Sequence, residues 1–366
     1  MKYFAKRGEI KQMKANFKNA SVVLAATGLF AFSRATMATN GYFTHGVGTE
    51  SKAMAGSGVG SPENFGGIAA ATNPALAVFS DEKWQVGFAV FSPSRSYEAR
   101  GGYGGQDGTF TLGAGVKYDS ANDAFPIPYV AKNWILDSGN SLSFVFYGRG
   151  GMNTEWDDGQ SAMFDPFGVG PMSFDGVYGG GITASPALGP FAGPSLHRAG
   201  VDLMQAFLSV NYAWKVSDEF TIGFGPVMAA QVFEATGVPA FAGYTQTFAD
   251  YLASGGDQQT PPWLVATSLT NNGHDMSTGF GAAIGIWGGS DDFSYGLAYQ
   301  SKLSMSEFDD YSDLFAENGG FDIPSTLKAG ISFRAGASAR VNLDLEHIGY
   351  SEVDSIANPI ANLVMG

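Results

Sequence analysis

The chain has no cysteine, and charged residues make up only 15% of its 366 positions, against roughly 25% in an ordinary soluble domain. The first absence excludes disulfide scaffolds, thiolate metal sites and cysteine nucleophiles. Basic residues are scarcer than acidic ones: 20 Lys and Arg stand against 34 Asp and Glu, a net charge of −14. A nucleic-acid binder needs a basic face, so that class is excluded. No stretch reaches the roughly 18 consecutive apolar residues of a membrane-spanning helix. The four histidines, His45, His197, His274 and His347, lack metal-ligand spacing. The glycine run 56–60 lacks the flanking strand and long helix of a nucleotide loop. Asp309, Asp310 and Asp313 read as a solvated acidic loop before a calcium site. The chain therefore reads as a non-enzyme, with no cofactor and no metal.

What is plentiful is glycine, at 51 residues, and aromatic side chains, at 14%. So much glycine argues against a helical protein. The N-terminus stands apart from this background. Lys2, Lys6, Arg7, Lys11, Lys14 and Lys18 precede an uncharged run, ASVVLAATGLFAF, from Ala20 to Phe32. A basic leader, a short apolar run and small residues after it are the parts of a secretory signal. Cleavage is expected after Ala35 or Ala38, with Ala38 favoured, so 1–38 is assigned as a signal peptide.

Beyond residue 81 the pattern has a period of two, the signature of strands with unlike faces. In 203–216, Met204, Leu208, Val210, Tyr212 and Trp214 oppose Gln205, Ser209, Asn211 and Lys215. The segments 293–306, 326–335 and 339–347 alternate as clearly, and 84–94, 141–151, 219–233 and 275–288 less so. A ninth candidate, 125–135, is less regular. Trp84, Tyr212 and Trp214 near strand ends suit an interfacial girdle. The connections alternate long and short, at roughly 95–124, 136–140, 152–202, 217–218, 234–274, 289–292, 307–325 and 336–338. Short turns on one side and long loops on the other are expected of an outer-membrane barrel, not a sandwich. The fold class is therefore all-β, a transmembrane antiparallel β-barrel over 82–366. Nine strands is an odd number, and the ending ANPIANLVMG is not a closing strand, so the barrel is expected to be incomplete at its C-terminus.

Residues 39–81 do not alternate. Rich in Gly and Ala and too small for a core of their own, they are assigned as a hatch that plugs the lumen. The stretch NGYFTHGVGTESKAMAGSGVG followed by ATNPAL resembles the hatch of FadL-type outer-membrane transporters for long-chain fatty acids and aromatic hydrocarbons. Asn73, Pro74 and Ala75 match the hatch signature of that family. YGRGGMNTEWDDG (147–159), LAYQSKLSMSEF (297–308) and IPSTLKAGISFR (323–334) extend the likeness over about 39–360.

The resemblance implies a barrel of fourteen strands with an N-terminal hatch, in the bacterial outer membrane. It implies passive transport: capture among outer loops, binding in the lumen, and lateral exit at a kinked third strand. The implied gate is Gly148, Gly150 and Gly151, where a missing Cβ permits a kink. Lumen contacts are assigned to Phe91, Val145, Tyr147, Phe207 and Lys302. Lys302 is chosen as carboxylate reader from the basic inner-face candidates Arg149, Lys302, Lys328, Arg334 and Arg340. Phe241, Tyr244, Phe248, Trp263, Leu264 and Phe315, large apolar residues in two long loops, are the candidate outer groove. Expected partners are fatty acids, alkanes or aromatics, lipopolysaccharide and outer-membrane lipid, with the chain a monomer. Two rival readings stand beside this one: a surface barrel acting as adhesin or phage receptor, and a polar-solute porin.

Overall fold

A computed structural model describes residues 39–63, 66–98, 117–156, 199–336 and 339–358. The chain clusters into two units, 1–41 and 42–366. Of the first, only 39–41 are described, and the signal peptide assigned to 1–38 lies outside the described residues. The rest of the description concerns the second unit.

Its wall is nine long strands: β1 (Trp84–Phe91), β2 (Phe125–Ile135), β3 (Ser141–Trp156), β4 (Ala199–Ser217), β5 (Phe220–Thr236), β6 (Asp275–Gly289), β7 (Phe293–Gln300), β8 (Thr326–Arg334) and β9 (Arg340–Ile348). Each pairs antiparallel with the next in sequence. Among the described residues β1 and β9 are the two ends of this sheet. These are the nine strands read from the alternation, the irregular 125–135 included. Counted in residues between strand ends, the connections again alternate long and short: 92–124, 136–140, 157–198, 218–219, 237–274, 290–292, 301–325 and 335–339. Several strands outrun the bilayer. β4 has 19 residues, roughly 60 Å of extended chain, more than the roughly 9–11 residues a tilted strand needs to cross a bilayer.

The alternation becomes two faces. Leu203, Gln205, Phe207 and Ser209 of β4 are buried, whereas Met204, Val210 and Trp214 are exposed. On neighbouring strands Phe88, Phe224, Phe280, Ile284 and Leu345 are exposed in the same way. Trp84, Trp134, Trp214 and Phe293 stand exposed beside the short turns, where an interfacial girdle belongs. So continuous an apolar outer band is suited to hydrocarbon and not to water.

The sheet is curled. β3 and β9 are six strand spacings apart, roughly 29 Å in a flat sheet, yet Arg149 Nη2 of β3 lies 2.6 Å from Glu346 Oε1 of β9. The concave face encloses residues 42–63 and 66–80, which include two short 3-10 turns, Gly67–Ala71 and Pro74–Phe79, and a five-residue helix, Thr49–Ala53. Phe43, Val47, Ile68 and Ala77 of this segment share one buried cluster with Val145, Tyr147, Phe207 and Val227 of the wall.

Candidate functional site

The inner segment is fastened at three heights. Asn73 caps the 3-10 turn it begins: its side-chain oxygen accepts from Ala75 N at 3.0 Å, and Pro74 follows where no N–H is needed. Its amide nitrogen donates to Val59 O and to Ile286 O on β6, both at 3.0 Å. Gly285 of β6 lies against this side chain, and a Cβ there would be 3.2 Å from Pro74 Cδ. The Asn73–Pro74–Ala75 triplet is thus buried against the wall, where Thr221 of β5 also donates to Ala75 O at 3.2 Å. Asn133 of β2 donates to Ala77 O and Ser80 O. At the next point Asp344 of β9 accepts Gly58 N and Val59 N at 2.7 and 2.9 Å, and Trp287 and Ser294 donate to Gly60 O. Sequence offers no signal for Asn133 or Trp287; it places Ser294 on the inner face, and Asp344 there as a counter-charge for a lumen cation, where the structure has it accepting backbone N–H groups instead. Trp287 in particular faces inward at 2% exposure, although a Trp near a strand end reads as a girdle residue.

The third fastening is at the wall itself. The β2–β3 ladder runs from Ile135↔Ser141 only as far as Tyr129↔Tyr147. β3 then bulges: Gly148 faces Ala206 of β4, but Gly150 faces Gln205, leaving Arg149 as the extra residue. Beyond this point the β2-side edge of β3 is met by the inner segment instead. Phe43 pairs with Gly150, and Gly151 N donates to Tyr42 O at 2.9 Å. Gly148, Gly150 and Gly151 therefore lie at a real gap in the side-wall ladder, with Phe43 lying across it.

An aromatic ladder leads to this gap. Phe233 contacts Phe315 at 4.7 Å between ring centroids, Phe315 contacts Phe321 at 4.9 Å, Phe321 contacts Tyr42 at 5.9 Å, and Tyr42 contacts Phe43 at 4.8 Å. Tyr147 and Phe207 stack at 5.3 Å on the inner wall. A polar thread runs alongside, with Gln205 donating to Gln231, and Gln231 to Phe321 O at 2.7 Å. Burial, with Tyr350 beside it, pushes the Tyr42 hydroxyl far above its ordinary range. The Tyr42 hydroxyl is thus held neutral, which keeps the ladder uncharged.

Two cations face the same interior. Arg149 lies 4.4 Å over the Phe43 ring and pairs with Glu346, which also lies 3.3 Å from Lys328 Nζ. Both are nearly buried. Between them is a cavity of about 20 Å³ whose lining includes Thr72, Tyr147, Arg149, Asn211, Gln300 and Lys328. That is room for about one water; a second cavity of about 500 Å³, lined by Glu63, Phe79, Trp287, Arg334 and Arg340, lies between the inner segment and the strand ends at the short turns.

Lys302, the residue chosen from sequence, is a correction. Opposite β6, Ala283 faces Gln300 but Phe280 faces Ser304, so four steps along one strand match three along the other. One extra residue reverses every later side chain. Lys302 consequently leaves the inner face, is 41% exposed and pairs with Asp322 at 2.8 Å. That bond holds its ammonium above the usual lysine range. Of the other assigned contacts, Val145, Tyr147 and Phe207 are buried on the inner face. Phe91 is half-buried at the end of β1, opposite Phe125.

The outer-loop candidates divide. Trp263 is buried with Ala242, Ala266 and Leu269, and Phe241 packs on that cluster. Phe315 packs on a second cluster with Phe233, Phe308 and Phe321. Phe248 is buried and stacks on Tyr251, whereas Tyr244 and Leu264 are exposed. The two loops are also joined by polar bonds: Asp313 accepts from Thr247 and, at 2.9 Å, from Ser268 N. Tyr311 donates to Gly273 O, and burial raises its pKa to about 12.

No protein-family profile and no curated protein matches the chain. Solved structures do. The Pseudomonas putida toluene transporter TodX superposes with a TM-score of 0.53 over 84% of this chain and 72% of its own, at 14% identity. The chain has the fold of that toluene transporter. A TodX deltaS2S3 variant, described as a monoaromatic hydrocarbon channel, matches at a TM-score of 0.50 and 12% identity, over 79% of this chain and 66% of its own. A Pseudomonas aeruginosa FadL homologue aligns over 81% of this chain and 67% of its own, at a TM-score of 0.43 and 15% identity.

Proposed function

We propose that the chain is a passive channel of the bacterial outer membrane for hydrophobic compounds, long-chain fatty acids or related hydrocarbons. Residues 1–38 serve as the export signal, 39–81 as the plug, and 82–366 as the wall. A ligand is captured among the outer loops, passes along the aromatic ladder from Phe315 to Phe43, and leaves sideways between β2 and β3.

The observation that carries this reading is the interrupted β2–β3 ladder with Phe43 across it. In a bilayer the backbone must be paired, so a wall that stops pairing at Tyr129 and Tyr147 and borrows the plug's own backbone is arranged to part there. Movement of Phe43 opens the aromatic path to the surrounding membrane without a water-filled passage. Arg149 and Lys328 share one carboxylate, Glu346, and a fatty-acid carboxylate entering beside them gains from both. The toluene transporter with this fold moves a neutral hydrocarbon by its name, so both ligand types belong in the test.

The experiment is uptake of a radiolabelled long-chain fatty acid against that of a neutral aromatic hydrocarbon. It uses the full-length gene in cells with intact outer membranes that lack their own transporter. Uptake of either supports the reading and chooses the substrate class. Uptake of neither, with high ion conductance in planar bilayers, moves the assignment to a polar-solute porin.

A further inference from the structure

Two prolines, Pro126 and Pro128, occupy β2 where it runs past the side gap, both on its exposed outer face. Their backbone direction follows from the turn. Leu136 N donates to Asn140 O at 2.8 Å, so Leu136 turns its backbone groups toward β3. In an antiparallel strand the N–H and C=O of one residue point to the same neighbour, and the side alternates along the chain. The β2–β3 register is unbroken from Ile135↔Ser141 to Tyr129↔Tyr147. Even-numbered positions of β2, 126 and 128 among them, therefore face β3, and odd-numbered ones face β1.

A proline has no N–H to give. At these positions the loss falls wholly on the edge that faces the gap. The ladder to β1 keeps its donors and continues to Phe91↔Phe125. Extending the β2–β3 register by two more rungs would set Pro128 opposite Gly148 and Pro126 opposite Gly150. Those are the positions where β3 bulges and Phe43 takes over the pairing. A milder form of this loss occurs elsewhere, where a proline interrupts a ladder that then resumes in the same register. Around Pro226 of β5 the ladder to β4 skips from Ser209↔Val227 to Tyr212↔Phe224.

We infer that Pro126 and Pro128 are positioning residues of the side opening, an inference that rests on the lateral-exit reading. They stop β2 from zipping onto β3 when Phe43 withdraws. They also leave no bare donor on the β2 rim in contact with lipid or a passing hydrophobic molecule. Their carbonyls remain, and an unpaired acceptor is tolerated more often than an unpaired donor. Glycines bend one rim of the opening, and prolines blunt the other.

The test is the full-length Pro126→Val/Pro128→Val protein, reconstituted and checked for heat-modifiable migration as a sign of folding. Hydrogen exchange of the peptide spanning 125–135 is followed by mass spectrometry, and uptake of the radiolabelled fatty acid is measured in cells. The expected result is slow exchange at the two amides introduced, because they bond to β3, together with a several-fold fall in uptake. Fast exchange at both amides overturns the inference, whatever uptake does. Slow exchange with unchanged uptake upholds the prolines' part in keeping the strands apart and sinks lateral exit instead. If the double variant does not fold, Pro128→Val is read by the same two measurements, with one introduced amide.

Discussion

Phe43 and Gly150 form a backbone pair that joins the inner segment to the wall, and the pair depends on the glycine. A Cβ at Gly150 would lie 3.1 Å from Phe43 Cε1 and would collide with the Gln205 side chain. The gap is thus closed by a ring resting where the wall has no side chain.

Gly150→Val is expected to displace Phe43 or distort β3, at about 1–3 kcal/mol of overpacking. Ligand binding in detergent should persist while release into vesicles slows several-fold. Release at the wild-type rate would remove Gly150 from the exit.

Glu346→Gln leaves Arg149 and Lys328 without the carboxylate they share. Breaking a buried ion pair costs about 3–5 kcal/mol, so the thermal midpoint should fall. A long-chain fatty acid should restore part of the loss and a neutral hydrocarbon should restore less. Equal rescue by the two ligands would deny the cations a role in reading a carboxylate. Lys302→Ala, which breaks only an exposed pair with Asp322, should leave that preference untouched.

Asn73→Ala removes two donated bonds and the cap on Ala75 N, and so about 1–3 kcal/mol for each buried group left unpaired. The inner segment should loosen before the wall does. Single-channel recording should then detect ion current that the wild type does not pass. A silent Asn73→Ala channel would mean that the other fastenings suffice.

The loop contact through Tyr311 sets a pH limit. Its hydroxyl, raised to about 12 by burial, stays protonated in the folded loops after an unfolded tyrosine, near 10, has ionised. Its contribution is therefore full below pH 10 and is lost as pH rises through about 12. Protease nicking of 301–325 should increase over that window, and Tyr311→Phe should abolish the dependence. A nicking rate with the same pH profile in both proteins would place the sensitivity elsewhere.

The wall was legible because its strands are long and lipid imposes one rule on every outward position. Alternation found all nine long strands of the described residues, and the order of connection lengths holds between them. What failed were features created by single extra residues. The bulge near Ser301 turned Lys302 outward, and no pattern of polarity marks it. The bulge at Arg149 falls among the glycines of 148–151, and Glu346 reads from sequence as one of two acids able to pair an inner-face cation, but which cation it meets is set by the fold across 197 positions. Asn133 and Asp344 read as ordinary inner-face polar residues. Their importance lies in backbone groups of 58–80 that only the folded inner segment brings within reach. The long loops hold six large apolar residues that sequence cannot sort: Phe241, Trp263 and Phe315 enter two separate packed clusters, whereas Tyr244 and Leu264 are left exposed.

The inner segment is bonded to β2, β5, β6, β7 and β9, and that makes it a brace as well as a plug. Strands that are far apart along the sheet are tied to one another through it. Taking the segment away would leave Asn133, Thr221, Ser294 and Asp344 without the partners they have here, at about 1–3 kcal/mol for each buried group left unpaired.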